Sequence, residues 1–107
     1  MSISEVSVDQ LQHVLAAGAR LVDVRETDEY LDGHVPGAIH IPLGTVPDSV
    51  EAFRGDGPTY VVCRSGARSM RACELLVDEG IEVINVAGGT MAWTASGKPV
   101  VTGANPA

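Results

Sequence analysis

The sequence predicts an α/β fold, a three-layer sandwich in which helices flank a mostly parallel sheet. Short apolar runs rich in β-branched residues alternate along the chain with segments whose apolar residues recur every three or four positions. Strands that alternate with helices favour a parallel sheet covered on both faces. The chain has 107 residues, the length of one domain. We therefore expect a single domain over residues 1–107, with a core from about 7 to 98 and a C-terminal tail at 99–107.

The apolar runs predict four strands, at residues 20–24, 39–41, 60–62 and 82–86. Pro42 follows the second run and places it at an edge or an end of the sheet. The helices are predicted at residues 8–17, 26–31, 46–53, 67–79 and 90–95. Ser7 or Asp9 would cap the first helix, and glycines end several of the others. The tail contains two prolines and no periodic pattern, so we expect it to be loose or to wrap the surface.

The composition excludes several classes of partner. The formal net charge is −7, which argues against nucleic acid and anionic membrane. No apolar run approaches the roughly 20 residues of a membrane span, and the first ten residues lack the pattern of a signal peptide. We therefore expect a cytoplasmic protein without a membrane partner. Two cysteines, Cys63 and Cys73, do not make a disulfide framework and suit a reducing compartment.

The stretch at residues 59–71, TYVVCRSGARSMR, carries the clearest chemical signal. A strand that ends in Cys63, a short loop and the start of a helix together form a cradle for an anion, because loop N–H groups and the helix dipole point into it. A thiol held there is stabilised as the thiolate. Three of the seven basic residues, Arg64, Arg68 and Arg71, lie in or just after this loop. We expect the protein to handle an anion at Cys63.

Four segments resemble, in order and spacing, the signature segments of the rhodanese family of single-domain sulfurtransferases. They are residues 21–26 (LVDVRE), 33–38 (GHVPGA), 63–69 (CRSGARS) and 88–93 (GGTMAW), and they are similar to the family's strand end, turn, active loop and C-terminal motif. Together they extend over nearly the whole chain, which makes the resemblance specific.

The resemblance implies a five-stranded parallel sheet and an activity. Cys63 would be the nucleophile and sulfur carrier, taking the outer sulfur of an anionic donor such as thiosulfate as a persulfide. A thiol or cyanide would then accept the sulfur, in a ping-pong cycle that needs no metal or other cofactor. The persulfide would be held by the loop, in which Arg64 and Arg68 also attract the donor. The loop residues are Arg64, Ser65, Gly66, Ala67, Arg68 and Ser69.

Three alternatives stay open beside this enzyme. The same residues could serve a persulfide carrier in a sulfur relay, loaded by a partner protein such as a cysteine desulfurase. The domain could also only bind. Finally, cysteine-dependent tyrosine phosphatases and arsenate reductases use a related loop. Those enzymes place five residues between cysteine and arginine, whereas four separate Cys63 from Arg68 here, and a shorter loop suits a single sulfur atom.

Several other residues are of types that often act in catalysis or metal binding, but we expect structural roles for them. Asp23 and Arg25 follow the first strand, and we expect them to support the cysteine loop through hydrogen bonds and an ion pair. Cys73 is expected to be a core thiol rather than a resolving cysteine. The pair His34 and His40 lacks further metal ligands, so structural roles are expected for both. Trp93 is expected to pack, and Glu26 and Glu29 to face solvent or the start of a helix.

Overall fold

The computed structural model describes residues 3–107 and contains one sheet of five strands, all of them parallel. The strands are β1 (Glu5–Val6), β2 (Arg20–Asp23), β3 (Ile39–His40), β4 (Thr59–Val62) and β5 (Val83–Val86). Their order across the sheet is β1-β5-β4-β2-β3. The helices are α1 (Val8–Ala16), α2 (Thr27–Asp32), α3 (Ala67–Asp78) and α4 (Gly89–Ala95). Within residues 3–107, none of these helices has the length and apolarity needed to cross a membrane.

Each face of the sheet has its own apolar core, because side chains alternate along a strand. Leu21 and Tyr60 join the cluster to which α1, α2 and α4 contribute, whereas Val22 and Val61 join the cluster to which α3 contributes. The prediction of an α/β sandwich with a five-stranded parallel sheet is therefore confirmed.

The strand register places the C-terminal ends of β2, β4 and β5 at the same edge of the sheet. Asp23 at the end of β2 lies level with Val62 at the end of β4, and Val61 lies level with Asn85 in β5. The residues that follow these strands therefore emerge side by side. Ligands of open parallel sheets bind at this carboxyl edge, and Cys63 is the first residue beyond β4.

The predicted cap of α1 is confirmed. The Ser7 hydroxyl accepts the N–H of Gln10 at 3.1 Å, and the Gln10 side chain accepts the N–H of Ser7 at 2.8 Å. This reciprocal arrangement satisfies two N–H groups that the first turn would otherwise leave free.

Two details of the sequence prediction are wrong. The segment predicted as a helix at 46–53 forms two 3₁₀ segments, Leu43–Asp48 and Val50–Phe53, because Pro47 lacks an N–H and disfavours an α-helix. The strand β1 was not predicted, since two residues are too short to show a periodic pattern.

The C-terminal tail lies against the turn that follows α2. Val101 forms a small antiparallel bridge with His34, the N–H of Gly103 donates to the Leu31 carbonyl, and the N–H of Gly37 donates to the Pro106 carbonyl. The tail therefore wraps the surface, which is one of the two arrangements expected for it.

Candidate active site

Cys63 lies at the bottom of a tight loop between β4 and α3. Its side chain is only 1% exposed. The N–H of Gly66 donates to Cys63 Sγ at 3.1 Å, and the Ser69 hydroxyl lies 3.3 Å from the same sulfur. Gly66 is the N-cap of α3, so the positive end of this 12-residue helix is directed at the sulfur. The strand end, the loop N–H and the helix start are arranged as the sequence predicted.

The cradle changes the acidity of the thiol. Burial of Cys63 opposes ionisation, but hydrogen bonds from the Ser69 side chain and from the N–H groups of Ser69, Gly66 and Ser65 outweigh it. The pKa of the Cys63 thiol is therefore below its ordinary value. A larger share of this cysteine is thiolate at neutral pH than of a free cysteine, and the thiolate is the nucleophilic form.

The start of α4 holds the other side of the cysteine. The carbonyl oxygen of Cys63 accepts hydrogen bonds from the Thr90 N–H at 2.8 Å and from the Thr90 hydroxyl at 3.0 Å. The N–H of Met91 donates to the Arg64 carbonyl at 2.9 Å. This approach requires a glycine at position 89, since a Cβ on Gly89 would lie 2.6 Å from the Cys63 oxygen and 2.5 Å from the Arg64 oxygen. The GG motif thus lets α4 dock on the cysteine loop.

The two arginines of the loop have different surroundings. Arg68 forms a bidentate ion pair with Glu29 of α2, with N···O distances of 2.7 and 2.9 Å. This pair lowers the pKa of Glu29 to about 2 and raises that of Arg68. Arg64 is exposed and makes no ion pair or side-chain hydrogen bond with the rest of residues 3–107. Arg64 is therefore the loop cation that is available to an incoming anion.

Arg64 also lines a shallow cavity of about 420 Å³ beside the cysteine loop. The cavity combines two cations with an apolar rim and two acids. Its lining residues are Arg25, Glu29, Asp32, Gly33, Arg64, Thr90, Met91, Thr94 and Val100. A larger cavity of about 550 Å³ lies at the opposite edge of the sheet, where β2 and β4 begin. We place the candidate site at the cavity of about 420 Å³, because Arg64 and Thr90 in its lining adjoin Cys63.

Ser69, the residue that faces the sulfur, is itself part of a buried polar group. Its hydroxyl lies within hydrogen-bonding distance of Asn85 Oδ1 as well as of Cys63 Sγ. Asn85, in the middle of β5, donates through Nδ2 to a Glu5 carboxylate oxygen at 2.8 Å and to the Gly66 carbonyl at 3.3 Å. The contacts join β1, β5 and the cysteine loop.

Comparisons with known proteins agree with this geometry. The family model described as a rhodanese-like domain matches residues 7–96. The chain belongs to the rhodanese family. A protein of Bacillus subtilis, YtwF, provisionally named a sulfurtransferase, is 40% identical over 101 residues, which are 92% of this chain and 98% of that protein. GlpE of Pseudomonas entomophila, named a thiosulfate sulfurtransferase, is 35% identical over 92 residues, 85% of this chain and 84% of the relative. The crystal structure of a rhodanese-related protein from Thermoplasma volcanium has a TM-score of 0.85 at 30% identity, and covers 92% of this chain and 97% of that one.

The six loop residues named from the sequence follow Cys63 directly, and their side chains have different surroundings. The side chains of Ser65 and Ala67 are exposed, and the backbone N–H of Ser65 is one of the groups that lower the pKa of Cys63. Ser69 contributes its side chain, which is buried. Arg68 is occupied by Glu29, a residue that the sequence assigned to solvent or a helix start.

Asp23 and Arg25 support a different part of this rhodanese than expected. Arg25 donates through Nε and Nη2 to the Asp23 carboxylate at 2.8 to 3.1 Å, and Nη2 also donates to the Gly33 carbonyl at 2.8 Å. Within residues 3–107, neither side chain has a hydrogen bond to residues 64–69. The ion pair thus joins the end of β2 to the turn after α2, and Arg25 faces the cavity.

The two histidines are engaged in the packing of this turn. The rings of His34 and His40 stack on Tyr30, with centroid distances of 3.7 and 4.6 Å. The His34 nitrogens contact the carbonyls of Tyr30 and Asn105, and His40 Nε2 contacts that of Arg25. These contacts hold the signature turn and the tail in place.

Cys73 and Trp93 occupy the interior. Burial raises the pKa of the Cys73 thiol to about 12, so that it remains protonated at neutral pH. The Trp93 ring is buried in the apolar cluster to which α1 contributes, and its Nε1–H donates to the Pro99 carbonyl at 2.7 Å. Both side chains have the packing positions that the sequence predicted for them.

Proposed function

We propose that this protein transfers sulfane sulfur from thiosulfate or a similar anionic donor to a thiophilic acceptor, with Cys63 as the carrier. The observation that carries the proposal is the position of Cys63 Sγ, which the Gly66 N–H and the Ser69 hydroxyl approach at the start of a helix. Membership of a family whose named relatives include sulfurtransferases supports the reaction class.

The first half of the cycle loads the cysteine. The Cys63 thiolate attacks the outer sulfur of thiosulfate, the new bond joins Sγ to that sulfur, and the sulfur–sulfur bond of the donor breaks. Sulfite leaves with the electron pair of that bond. The negative charge now lies on the terminal sulfur of the persulfide, where the loop N–H groups of Arg64, Ser65, Gly66, Ala67, Arg68 and Ser69 can hold it.

The second half returns the enzyme to its starting state. A thiolate or cyanide attacks the terminal sulfur, the bond to Sγ breaks, and Cys63 leaves as the thiolate that began the cycle. No external proton, oxidant or metal enters either half, because each attack and departure transfers one electron pair. A lowered pKa suits Cys63 both as the nucleophile and as the leaving group.

A small dianionic donor fits the charges around the loop. Arg64 is exposed at the cavity and without an ion pair among residues 3–107, so it can bind one end of thiosulfate. The named thiosulfate activity of the GlpE relative agrees with that choice. We further propose that transfer takes place in the cytoplasm, where a thiol or a sulfur-relay protein would be the acceptor.

The test is an intact mass measurement. Wild-type protein and the Cys63→Ser variant are incubated with thiosulfate, freed of excess and weighed, and a Cys73→Ala variant is the matched control for the other cysteine. We expect a gain of one sulfur atom in the wild type and in Cys73→Ala, none in Cys63→Ser, and loss of that sulfur on adding cyanide. A gain in Cys63→Ser would refute the proposal.

An absent gain in folded wild type would refute thiosulfate as the donor. Incubation with a cysteine desulfurase and cysteine then separates the two readings of Cys63 that remain. Sulfur found on Cys63 after that incubation would indicate a carrier loaded by a protein, and its absence would indicate a binding domain.

A further inference from the structure

The Ser69 hydroxyl has one proton and three acceptors within reach. Its Oγ lies 3.3 Å from Cys63 Sγ, 3.3 Å from the Gly66 carbonyl and at hydrogen-bonding distance from Asn85 Oδ1. Ser69 is fully buried, so water does not supply an alternative partner. A hydroxyl donates only one hydrogen bond at a time. The three acceptors therefore compete for it.

The Asn85 amide is fixed in the orientation that makes it a competitor. Its Nδ2 lies 2.8 Å from a carboxylate oxygen of Glu5 and 3.3 Å from the Gly66 carbonyl, and both of these groups can only accept. The NH₂ group must therefore face them, and Oδ1 must face Ser69. Asn85 is itself only 1% exposed, so the orientation is held inside the protein.

The charge on Cys63 determines which acceptor is favoured. A neutral thiol sulfur is a weak acceptor, so the amide oxygen of Asn85 is the better partner for the hydroxyl while Cys63 is protonated. A thiolate forms a charge-assisted hydrogen bond, which is stronger. In a persulfide the charge has moved to the terminal sulfur, and Sγ is again a weak acceptor.

We propose that Asn85 is a positioning residue that tunes the reactivity of Cys63 by competing with Cys63 Sγ for the Ser69 proton. Asn85 stabilises the states in which Sγ carries no charge, namely the thiol and the persulfide. It thereby restrains the thiolate and favours retention of the loaded sulfur. The role in sulfur retention depends on the proposed function, whereas the effect on the thiol does not.

The test substitutes none of the other ionisable residues near Cys63. The charge of the Cys63 thiolate raises the pKa of Arg68 at the start of α3 and that of Cys73 further along the same helix. Arg64 adjoins Cys63 in the loop, and Glu5 on β1 accepts a hydrogen bond from Asn85. Substitutions at Asn85 and Ser69 replace none of these four side chains, and Asn85→Ala removes the hydrogen bond that Glu5 accepts.

The experiment is a double-mutant cycle read by alkylation of Cys63. Wild type, Asn85→Ala, Ser69→Ala and the double variant are treated with iodoacetamide across a pH series, and the single adduct is counted by intact mass. Asn105→Ala is the matched control, because it makes the same substitution at an exposed side chain of the tail.

We expect Asn85→Ala to react about threefold faster than wild type below the midpoint of the pH profile, the size of one neutral hydrogen bond. Ser69→Ala should react more slowly, because the thiolate loses a donor. In the Ser69→Ala background, Asn85→Ala should change nothing, since its effect passes through the hydroxyl. The persulfide of Asn85→Ala, once loaded, should lose its sulfur to cyanide faster than that of wild type.

Three outcomes would overturn the proposal: an unchanged profile in Asn85→Ala, a slower reaction like that of Ser69→Ala, or an equal change with and without the hydroxyl. Should Asn85→Ala not fold, Asn85→Leu replaces it, because leucine keeps the volume and offers no hydrogen bond. Alkylation needs no sulfur donor. A protein that takes up no sulfur from any donor would therefore refute the proposed function and still report on Asn85.

Discussion

Replacement of Gly89 by alanine tests how α4 docks on the cysteine loop. Gly89 has a backbone φ of +60°, and an alanine Cβ there would lie 2.5 and 2.6 Å from the carbonyl oxygens of Arg64 and Cys63. These are backbone atoms, so the helix and the loop must move apart. Gly97 is a matched control, because it has a φ of +75° but nothing within 4 Å of the added Cβ.

The expected cost follows from what each substitution disturbs. Each of the two substitutions costs about 1 kcal/mol, because it places an L-residue in the left-handed region. Gly89→Ala also strains three hydrogen bonds to the loop, two from Thr90 and one from Met91. At about 1 kcal/mol each, the total loss is about 3–4 kcal/mol for Gly89→Ala against about 1 kcal/mol for Gly97→Ala. Such a loss is a large fraction of the stability of a small domain.

The assay is urea unfolding followed by far-UV circular dichroism, together with alkylation of Cys63 in the folded state. The midpoint of Gly89→Ala should lie about 1–2 M below that of Gly97→Ala, given the slope usual for small proteins. The folded Gly89→Ala protein should also alkylate with a shifted pH profile, because the loop that holds the sulfur has moved. Equal midpoints for the two variants would refute the docking argument.

Three further predictions concern charge and hydrogen bonding at the site. Glu29→Gln breaks the pair with Arg68, whose side chains are about one-third exposed, so it should lower the free energy of unfolding by about 1 kcal/mol at pH 7. The hydrogen bond from Arg68 lowers the pKa of Glu29 from 4.5 to about 2. The difference in unfolding free energy between wild type and Glu29→Gln should therefore persist above pH 4.5 and vanish as the pH falls through 2. A pH-independent difference in urea unfolding would contradict this prediction. Arg64→Ala should raise KM for thiosulfate about tenfold, the size of one charge near a dianion, and leave the melting temperature unchanged; an unchanged KM in steady-state kinetics would remove Arg64 from donor binding. Ser69→Ala should raise the pKa of Cys63, since a hydrogen bond to the thiolate is lost, and an alkylation profile identical to that of wild type would exclude this role.

Local patterns in the sequence were sufficient for the fold class and for the centre of the site. The spacing of apolar residues predicted four of the five strands and the approximate bounds of α1, α3 and α4. This spacing is a local property, because it reflects which side of each segment is buried. The spacing from Cys63 to Ser69 predicted the loop and its helix, since a strand, a short loop and a helix N-terminus are contiguous in the chain.

Partners that are distant in the sequence were decided only by the tertiary structure. Glu29 and Arg68 are 39 positions apart, and Glu5 and Asn85 are 80 apart. These pairs depend on the order β1-β5-β4-β2-β3 and on its register, which no local pattern specifies. One signal for Asn85 was present, namely a polar residue in the apolar run VINV, since a buried polar side chain needs partners.

One physical reason explains why the sequence predicted some features and not others. The composition and period of a segment determine what it becomes and which side is buried, so the sequence by itself determined the sandwich and the cysteine loop. The resemblance of four motif segments indicated the family. The identity of a long-range contact depends on how whole elements pack. Packing therefore decided that Arg68 is occupied by Glu29, that Arg64 stays available, that Asp23 and Arg25 serve the turn after α2, and that Gly89 lets α4 reach the backbone of Cys63.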